Sequence, residues 1–476
     1  MTRAYELTRL ETAHHPSAST QGSDSVVVIV AAVLVLGVWL GTWWALLGVP
    51  VALLRRGSAP TVALCVAVAM LGSWLGTQAW QAAHPRHLGE YSGWAELVSD
   101  PAPFGVGLRV TVEIEGERFD AWLYGGQRRK MIDAQAGEYV WLQGHRSELT
   151  SGARRAAVRH VVGRFTPTVM ADVVDGSALN RASNRVRRSL RTVAESTMGD
   201  DDAALFAGLV IGDDARQRVE VIETFRGAGL SHLTAVSGQN VAFVLAAALP
   251  LLRRLRPWWR WAATVAVVAW FMALTRFEPS VLRAGVMAML AATAYVRGAQ
   301  ASPVRLLSLA VTALVVVDPL LVWSVAFWLS VGATAGVCVL GPWFRSRLPG
   351  PRWVRLPLSI TIGAQLGVAL PSLMVFHRLP VVSLPANLLA VPVAGFVMLY
   401  GLPAGIVAAW LPNALKALVM LPAEWGTHWV ALVARVGYAV EPAPLWSAAC
   451  WLFGLVTWLF WRFLTQRGAC ANLKSP

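Results

Sequence analysis

Eleven apolar stretches, most of them close to the length of a bilayer crossing, decide what this chain can fold into. Two lie near the start, Val26–Leu47 and Thr61–Gln81. Nine follow from residue 232 with short loops between them: 232–252, 258–275, 281–297, 303–317, 320–341, 356–376, 383–411, 413–437 and 445–464. A helix needs about 20 such residues to cross the hydrocarbon core. Lipid offers no partner to free backbone groups, so helices satisfy them internally. The expected fold is mainly α, a polytopic membrane bundle. Charged residues make up only 14% of the 476 positions, against roughly a quarter in soluble domains.

The net charge of +14 is unevenly placed. Residues 84–231 are near neutral, whereas 18 basic residues oppose only Glu278, Asp318, Glu424 and Glu441 from 232 onward. Alternating the spans from an outer start puts Arg253, Arg254, Arg256, Arg260, Arg297, Arg305, Arg345, Arg347, Arg352, Arg355 and Lys416 inside, as the positive-inside rule requires. Arg276, Glu278, Asp318 and Glu441 then fall in outer turns. Pro371, Pro380, Pro385, Pro392, Gly395, Gly401, Pro403 and Gly405 predict broken helices, tolerated at membrane depth where backbone lines a cavity or packs on protein. Cys65, Cys338, Cys450 and Cys470 lack C-x-x-C spacing and read as apolar fillers.

The N-terminal half divides by composition. Residues 1–25 read as a disordered tail and 26–83 as membrane anchor helices turning at Arg55-Arg56. In 84–166, Leu108, Val110, Val112 and Ile114 alternate with polar neighbours, the period of a half-buried strand. Further strands are expected at Arg118–Tyr124, Glu138–Gly144 and Ala156–Gly163, giving a small outer β-barrel of OB-like type. Its aromatics Phe119, Trp122, Tyr124 and Trp141 could stack bases, although their alternation favours core packing; Arg128, Arg129 and Lys130 add cations. Residues 167–228 read as a helical connector. Arg181, Arg185, Arg188 and Arg191 gather near one face, as in helices that lie on anionic lipid surfaces. Residues 229–466 form the polytopic domain and 467–476 a short tail.

Within that domain, residues 229–241 place His232, Ser237, Gln239 and Asn240 where lipid tolerates few polar groups. Such groups face a bundle interior or a wet cavity, so this segment is expected to form an inner wall. Arg283 sits a few residues into a span, where a central Arg costs about 2.5–3.5 kcal/mol; it snorkels to the outer interface, faces the pore as a candidate of the same path, or is buried in a pair with Glu278 or Asp318. Gln365 and Asn387 fasten helices or line the same path, and Glu424 and His428 read as a pair one turn apart. Ser237 lacks the G-x-S-x-G elbow of a nucleophile, and no cluster with metal-ligand spacing is seen.

The run 229–241 resembles the signature of the ComEC-type competence proteins, membrane channels of bacterial DNA uptake. Leu209-Val210-Ile211-Gly212-Asp213-Asp214, Phe225–Gly229, Pro279-Ser280-Val281-Leu282-Arg283-Ala284, Asp318-Pro319, Ala326–Ser330, Gln365–Pro371 and Pro380–Pro392 are similar to family elements in the same order. The resemblance implies a multi-pass channel of the bacterial inner membrane that carries single-stranded DNA into the cytoplasm during natural transformation. Implied partners are the DNA strand, a DNA receptor, a cytoplasmic motor or ssDNA-binding protein, and membrane lipids. Two departures stand out. Asn240 replaces a His found in many members, removing a titratable group. The chain also carries no H-x-H-x-D-H set for the metallo-β-lactamase-like domain many members possess, so the expectation is a form without that domain, no enzyme and no cofactor or metal. The competing readings are a membrane enzyme acting on lipid-linked or cell-wall substrates, and a small-solute transporter.

Overall fold

The computed structural model describes residues 18–41, 59–234, 237–299, 301–376 and 380–443, with 446–447, 449–451, 453 and 457. The expected span 445–464 and the tails therefore fall largely outside the described residues. Two apolar helices, α1 (Ala18–Leu40) and α2 (Ala59–Ala82), precede a sheet domain. It comprises β1 (Gly89–Leu97), β2 (Ala102–Phe104), β3 (Gly107–Ile114), β4 (Glu117–Leu123), a short α3 (Gly125–Met131), β5 (Tyr139–Glu148), α4 (Ala153–Ala157) and β6 (Val161–Val174). Then come α5 (Ala178–Thr197), α6 (Asp200–Ile211), α7 (Val219–Gly227), α8 (Ser231–Thr234), α9 (Gly238–Leu252), α10 (Pro257–Leu274), α11 (Pro279–Val296) and α12 (Pro303–Val317). A 3₁₀ turn at Pro319–Trp323 leads to α13 (Val325–Arg345), α14 (Arg352–Phe376), α15 (Ser383–Ala408) and α16 (Asn413–Val440).

Among the described residues, six helices are long and apolar enough to cross a membrane: 60–82, 279–296, 325–345, 352–375, 383–408 and 413–440. The protein is mainly helical and multi-pass. The expected breaks do not interrupt the described helices, and of the eight positions only Pro380 falls between two of them. Pro371 lies inside a continuous α14, and Pro392 and Pro403 inside a continuous α15. Each proline removes one ladder hydrogen bond, but packed neighbours keep the helix on course. The chain turns between α7 and α8 at Gly229, which adopts φ +72°.

In the sheet domain the strands run β1-β5-β6-β4-β3-β2, and β1 also pairs with β3, so the pairings β1-β5-β6-β4-β3-β1 close a circle. All are antiparallel except β4–β6. Leu108, Val110, Val112 and Ile114 point inward with Leu97, Phe119, Leu142 and Phe165, as the period-two pattern requires. Strands β1 and β2 have no counterpart in the sequence reading. The strand expected at Ala156–Gly163 is instead α4 followed by a turn, with β6 beginning only at Val161. Ala153-Arg154-Arg155-Ala156-Ala157 are strong helix formers, which outweighed a weak alternation. β6 then continues to Val174, eight residues beyond the expected limit of 166.

The connector also differs from a helix resting on lipid headgroups. Leu190, Val193 and Ala194 of α5, and nearly all of α6, are buried in the largest core with Ala386, Ala390, Val397, Met420, Ala423 and Val430 of α15 and α16. The sheet domain meets the bundle at two turns that charge alternation places on one side. Asp100 binds Arg276, and His160 Nε2 lies 3.0 Å from Asp318 Oδ2.

Two helix pairs close by backbone contact. Gly332 and Gly336 of α13 lie on Gly367 and Gly363 of α14, so tightly that a Cβ at Gly332 would sit 2.5 Å from the Gly367 carbonyl oxygen. Gly37 of α1 meets Ala69, and Gly72 and Gly76 of α2 meet Leu34 and Val38 in the same manner. These small-xxx-small seams let backbones approach where lipid supplies no hydrophobic drive.

Candidate functional site

The turn at Gly229 leads into the short α8, and α9 starts at Gly238. His232, Ser237, Gln239 and Asn240 then line one cleft with Leu209, Leu233, Phe243, Val391, Ala394 and Gly395, about 280 Å³ including its open mouth. The four polar residues sequence reasoning singled out here are brought together, in different roles. His232 and Gln239 keep exposed side chains, Ser237 is half-buried and Asn240 is buried. Asn240 Nδ2 donates to the Leu209 carbonyl at 3.2 Å, and its Oδ1 accepts from Ser237 Oγ at 3.1 Å. Asn240 therefore ties α9 to the end of α6. Its neighbour Ser237 donates its hydroxyl to that amide.

Arg283 is buried at 6% exposure, not snorkelling, and pairs with neither expected carboxylate. Asp318 caps Leu320 and holds His160. Arg283 Nε instead donates to Ser330 Oγ at 2.8 Å, and Nη1 lies 3.3 Å from Met287 Sδ. Its guanidinium covers Gly238, where a Cβ would meet Nη2 at 2.6 Å. Asn387 is also buried, one turn before Val391 on α15 and outside the cleft lining, and among the described residues its Oδ1 has no hydrogen-bond partner. Gln365 is half-buried on α14 and does not line this cleft. His428 turns from Glu424 to Asp202, with Nδ1 3.1 Å from Oδ2.

Phe243 is the cleft residue that sequence reasoning missed. Its ring abuts Gly395, whose Cβ would lie 2.5 Å from Cζ. An aromatic in an apolar run carries no signal of this kind; only the opposing glycine reveals it.

On the sheet domain, Phe119 is core, whereas Trp122 is half-buried beneath the Arg164 guanidinium at 5.0 Å, with Phe104 edge-on at 6.4 Å. Trp141 is half-buried opposite Trp94, and Tyr124 is 49% exposed. Arg128 and Lys130 spend donors on the carbonyls of Val106 and Met170, holding α3 to the sheet; Arg129 is exposed. The five positions expected together thus share one end of the domain without one role.

A charged hub joins the sheet domain to the bundle. Arg187, 1% exposed, donates to the carbonyls of Ile211 and Leu274 at 2.9 and 3.0 Å and to Asp100 Oδ2 at 2.7 Å. Arg276 binds Asp100 and Asn184, and Arg191 binds Asp213. Burial opposes the Asp100 charge, but Arg187 and Arg276 outweigh it and hold the carboxyl at about 2. The periodic basic face of α5 advertised its neighbours; Arg187, off that face, is the residue that is buried.

A family model described as Competence protein matches residues 209–466, which include the cleft but not the sheet domain. The chain is 28% identical over 264 residues to the uncharacterized protein YcaI of Escherichia coli (strain K12), covering 51% of this chain and 33% of that one. It is 27% identical over 280 residues to competence protein ComA of Neisseria gonorrhoeae, covering 55% and 39%. With ComE operon protein 3 of Bacillus subtilis (strain 168), identity is 25% over 229 residues, covering 46% and 28%. The chain thus spans about a third of the length of the curated relatives it matches. No solved structure matches it.

Proposed function

The chain belongs to the competence protein family, and from this premise we propose that it conducts a single strand of DNA across the bacterial inner membrane during natural transformation. The observation that carries the reading is the cleft: polar side chains of α8 and α9 face a small-residue stretch of α15 inside an apolar bundle. A polyanion crosses hydrocarbon only along polar, wetted walls. The cleft is far too narrow for a nucleotide strand as it stands, so passage of a strand requires α15 to part from α9. Phe243 of α9 presses on Gly395 of α15.

In this reading the chain transports and does not hydrolyse; a separate chain degrades the other strand, and a receptor outside and a motor or ssDNA-binding protein inside complete the route. The OB-like sheet domain meets the strand first. Trp122 and Tyr124 supply stacking and Arg164 and Arg129 charge, so Trp122→Ala is expected to cost about 1–3 kcal/mol of oligonucleotide affinity, measured by fluorescence anisotropy on the full chain. Phe243→Ala is expected to raise ion leak from liposomes holding the purified protein, and an unchanged leak would take Phe243 off the path. Deletion of the gene in a naturally competent host is expected to abolish transformation by added DNA. Undiminished transformation in that strain would refute the channel assignment.

A further inference from the structure

Arg283 is a cation held inside the bundle without a paired anion among the described residues. The residue is 6% exposed, no carboxylate pairs with it there, and its neighbours are the Ser330 hydroxyl, Met287 Sδ and the Cys338 thiol. The guanidinium also lies against Gly238, the first residue of the 15-residue α9. A helix N-terminus carries roughly half a positive charge and exposes N–H donors. Among the described residues no side-chain oxygen caps it, and Ser237 Oγ donates to Asn240 Oδ1. A buried cation and an uncapped helix N-terminus repel each other, and the bundle brings them into contact. Nη2 donates to nothing among the described residues and points at that terminus, while Nε and Nη1 are fixed by α13 and α11.

We propose that Arg283 and the N-terminus of α9 form a site for a single phosphodiester group of the passing strand, at the edge of the Ser237–Gln239 cleft. This rests on the channel reading and deepens it. One guanidinium and a helix N-terminus match the two non-bridging oxygens of a phosphodiester and read no base, which suits sequence-independent passage. Ser330 is a positioning residue that aims the guanidinium.

The test uses the full chain in phosphatidylcholine nanodiscs and a fluorescein-labelled oligothymidylate, with affinity followed across a salt series. Arg283→Gln is expected to weaken binding about tenfold at low salt and to lower the salt slope by about 0.7, the value for one single-strand phosphate contact. Arg283→Lys is expected to retain most of the slope, and a methylphosphonate oligonucleotide to be insensitive to Arg283→Gln. Unchanged thermal unfolding of the variants separates contact from folding; should Arg283→Gln fail to fold, Ser330→Ala replaces it, with a smaller loss of affinity expected. An unaltered affinity and slope in a folded Arg283→Gln overturns the site while leaving the channel assignment intact. Loss of co-purifying anionic phospholipid, with oligonucleotide binding unaltered, reassigns the site to lipid and equally overturns it. A wild-type chain that binds no oligonucleotide at all removes the site together with the reading beneath it.

Discussion

Replacing Gly336 by isoleucine is expected to abolish accumulation of folded protein in the membrane. The backbones of α13 and α14 touch along Gly332, Gly336, Gly363 and Gly367, and each would-be Cβ falls on an opposing carbonyl oxygen. A carbonyl in a helix cannot rotate away as a flexible side chain does, so the helices must separate along the whole seam. Overpacking an ordinary core costs about 1–3 kcal/mol; here the obstruction is backbone on both sides, and the effect exceeds that range. Gly341 provides the control on the same helix. Its Cβ would meet only Ser359 O, at 3.9 Å, so Gly341→Ala is expected to leave abundance and thermal unfolding unchanged. The comparison is read by immunoblot of membrane fractions and by the unfolding temperature in detergent. Wild-type abundance and stability in Gly336→Ile would show that the seam does not hold the pair.

The second large effect concerns Arg187. Removing one member of a buried, hydrogen-bonded charge network leaves its partners uncompensated, at about 3–5 kcal/mol. Arg187→Met keeps much of the side-chain volume, yet leaves Asp100 with Arg276 as its one remaining arginine and strands the carbonyls of Ile211 and Leu274. It is expected to lower the unfolding temperature and to loosen the sheet domain from the α10–α11 turn, seen as faster hydrogen exchange near 98–101 and 274–276. Asp100→Asn should interact non-additively with it in a double-mutant cycle; strict additivity would show that the two groups do not share one network.

The hub also sets a pH dependence. Asp100 is held below its unfolded value, so its contribution to stability is fully present above about pH 4 and is lost as pH falls through about 2. Exchange protection of the 98–101 segment is therefore expected to persist at pH 5 and to fall only in strong acid. Early loss of protection, between pH 6 and 5, would contradict the assignment.

Much was legible in the chain because membrane and sheet each impose a simple period. Apolar length marked most of the described helices within a few residues, since a bilayer crossing fixes how many residues a helix must spend in lipid; α1 is the exception, for it begins at Ala18, inside the expected tail, and ends at Leu40, short of the expected Leu47. The inward set Leu108, Val110, Val112 and Ile114 was readable because side chains alternate along a strand. The polar residues His232, Ser237, Gln239 and Asn240 were conspicuous because their surroundings were not polar, and they do meet in one cleft.

What the sequence could not decide is who faces whom. That Asn240 holds Leu209, that Arg283 rests on Ser330 and Gly238 instead of a carboxylate, and that Phe243 presses on Gly395 are relations between segments far apart in the chain. Local patterning determined the helices, the strand faces and the membrane itself, because these follow from the solvent each residue meets. The pairing of glycines across α13 and α14, the burial of Arg187 and the lining of the cleft were decided only by packing. Contact distances of a few ångströms between distant segments leave no periodic trace in the order of the residues.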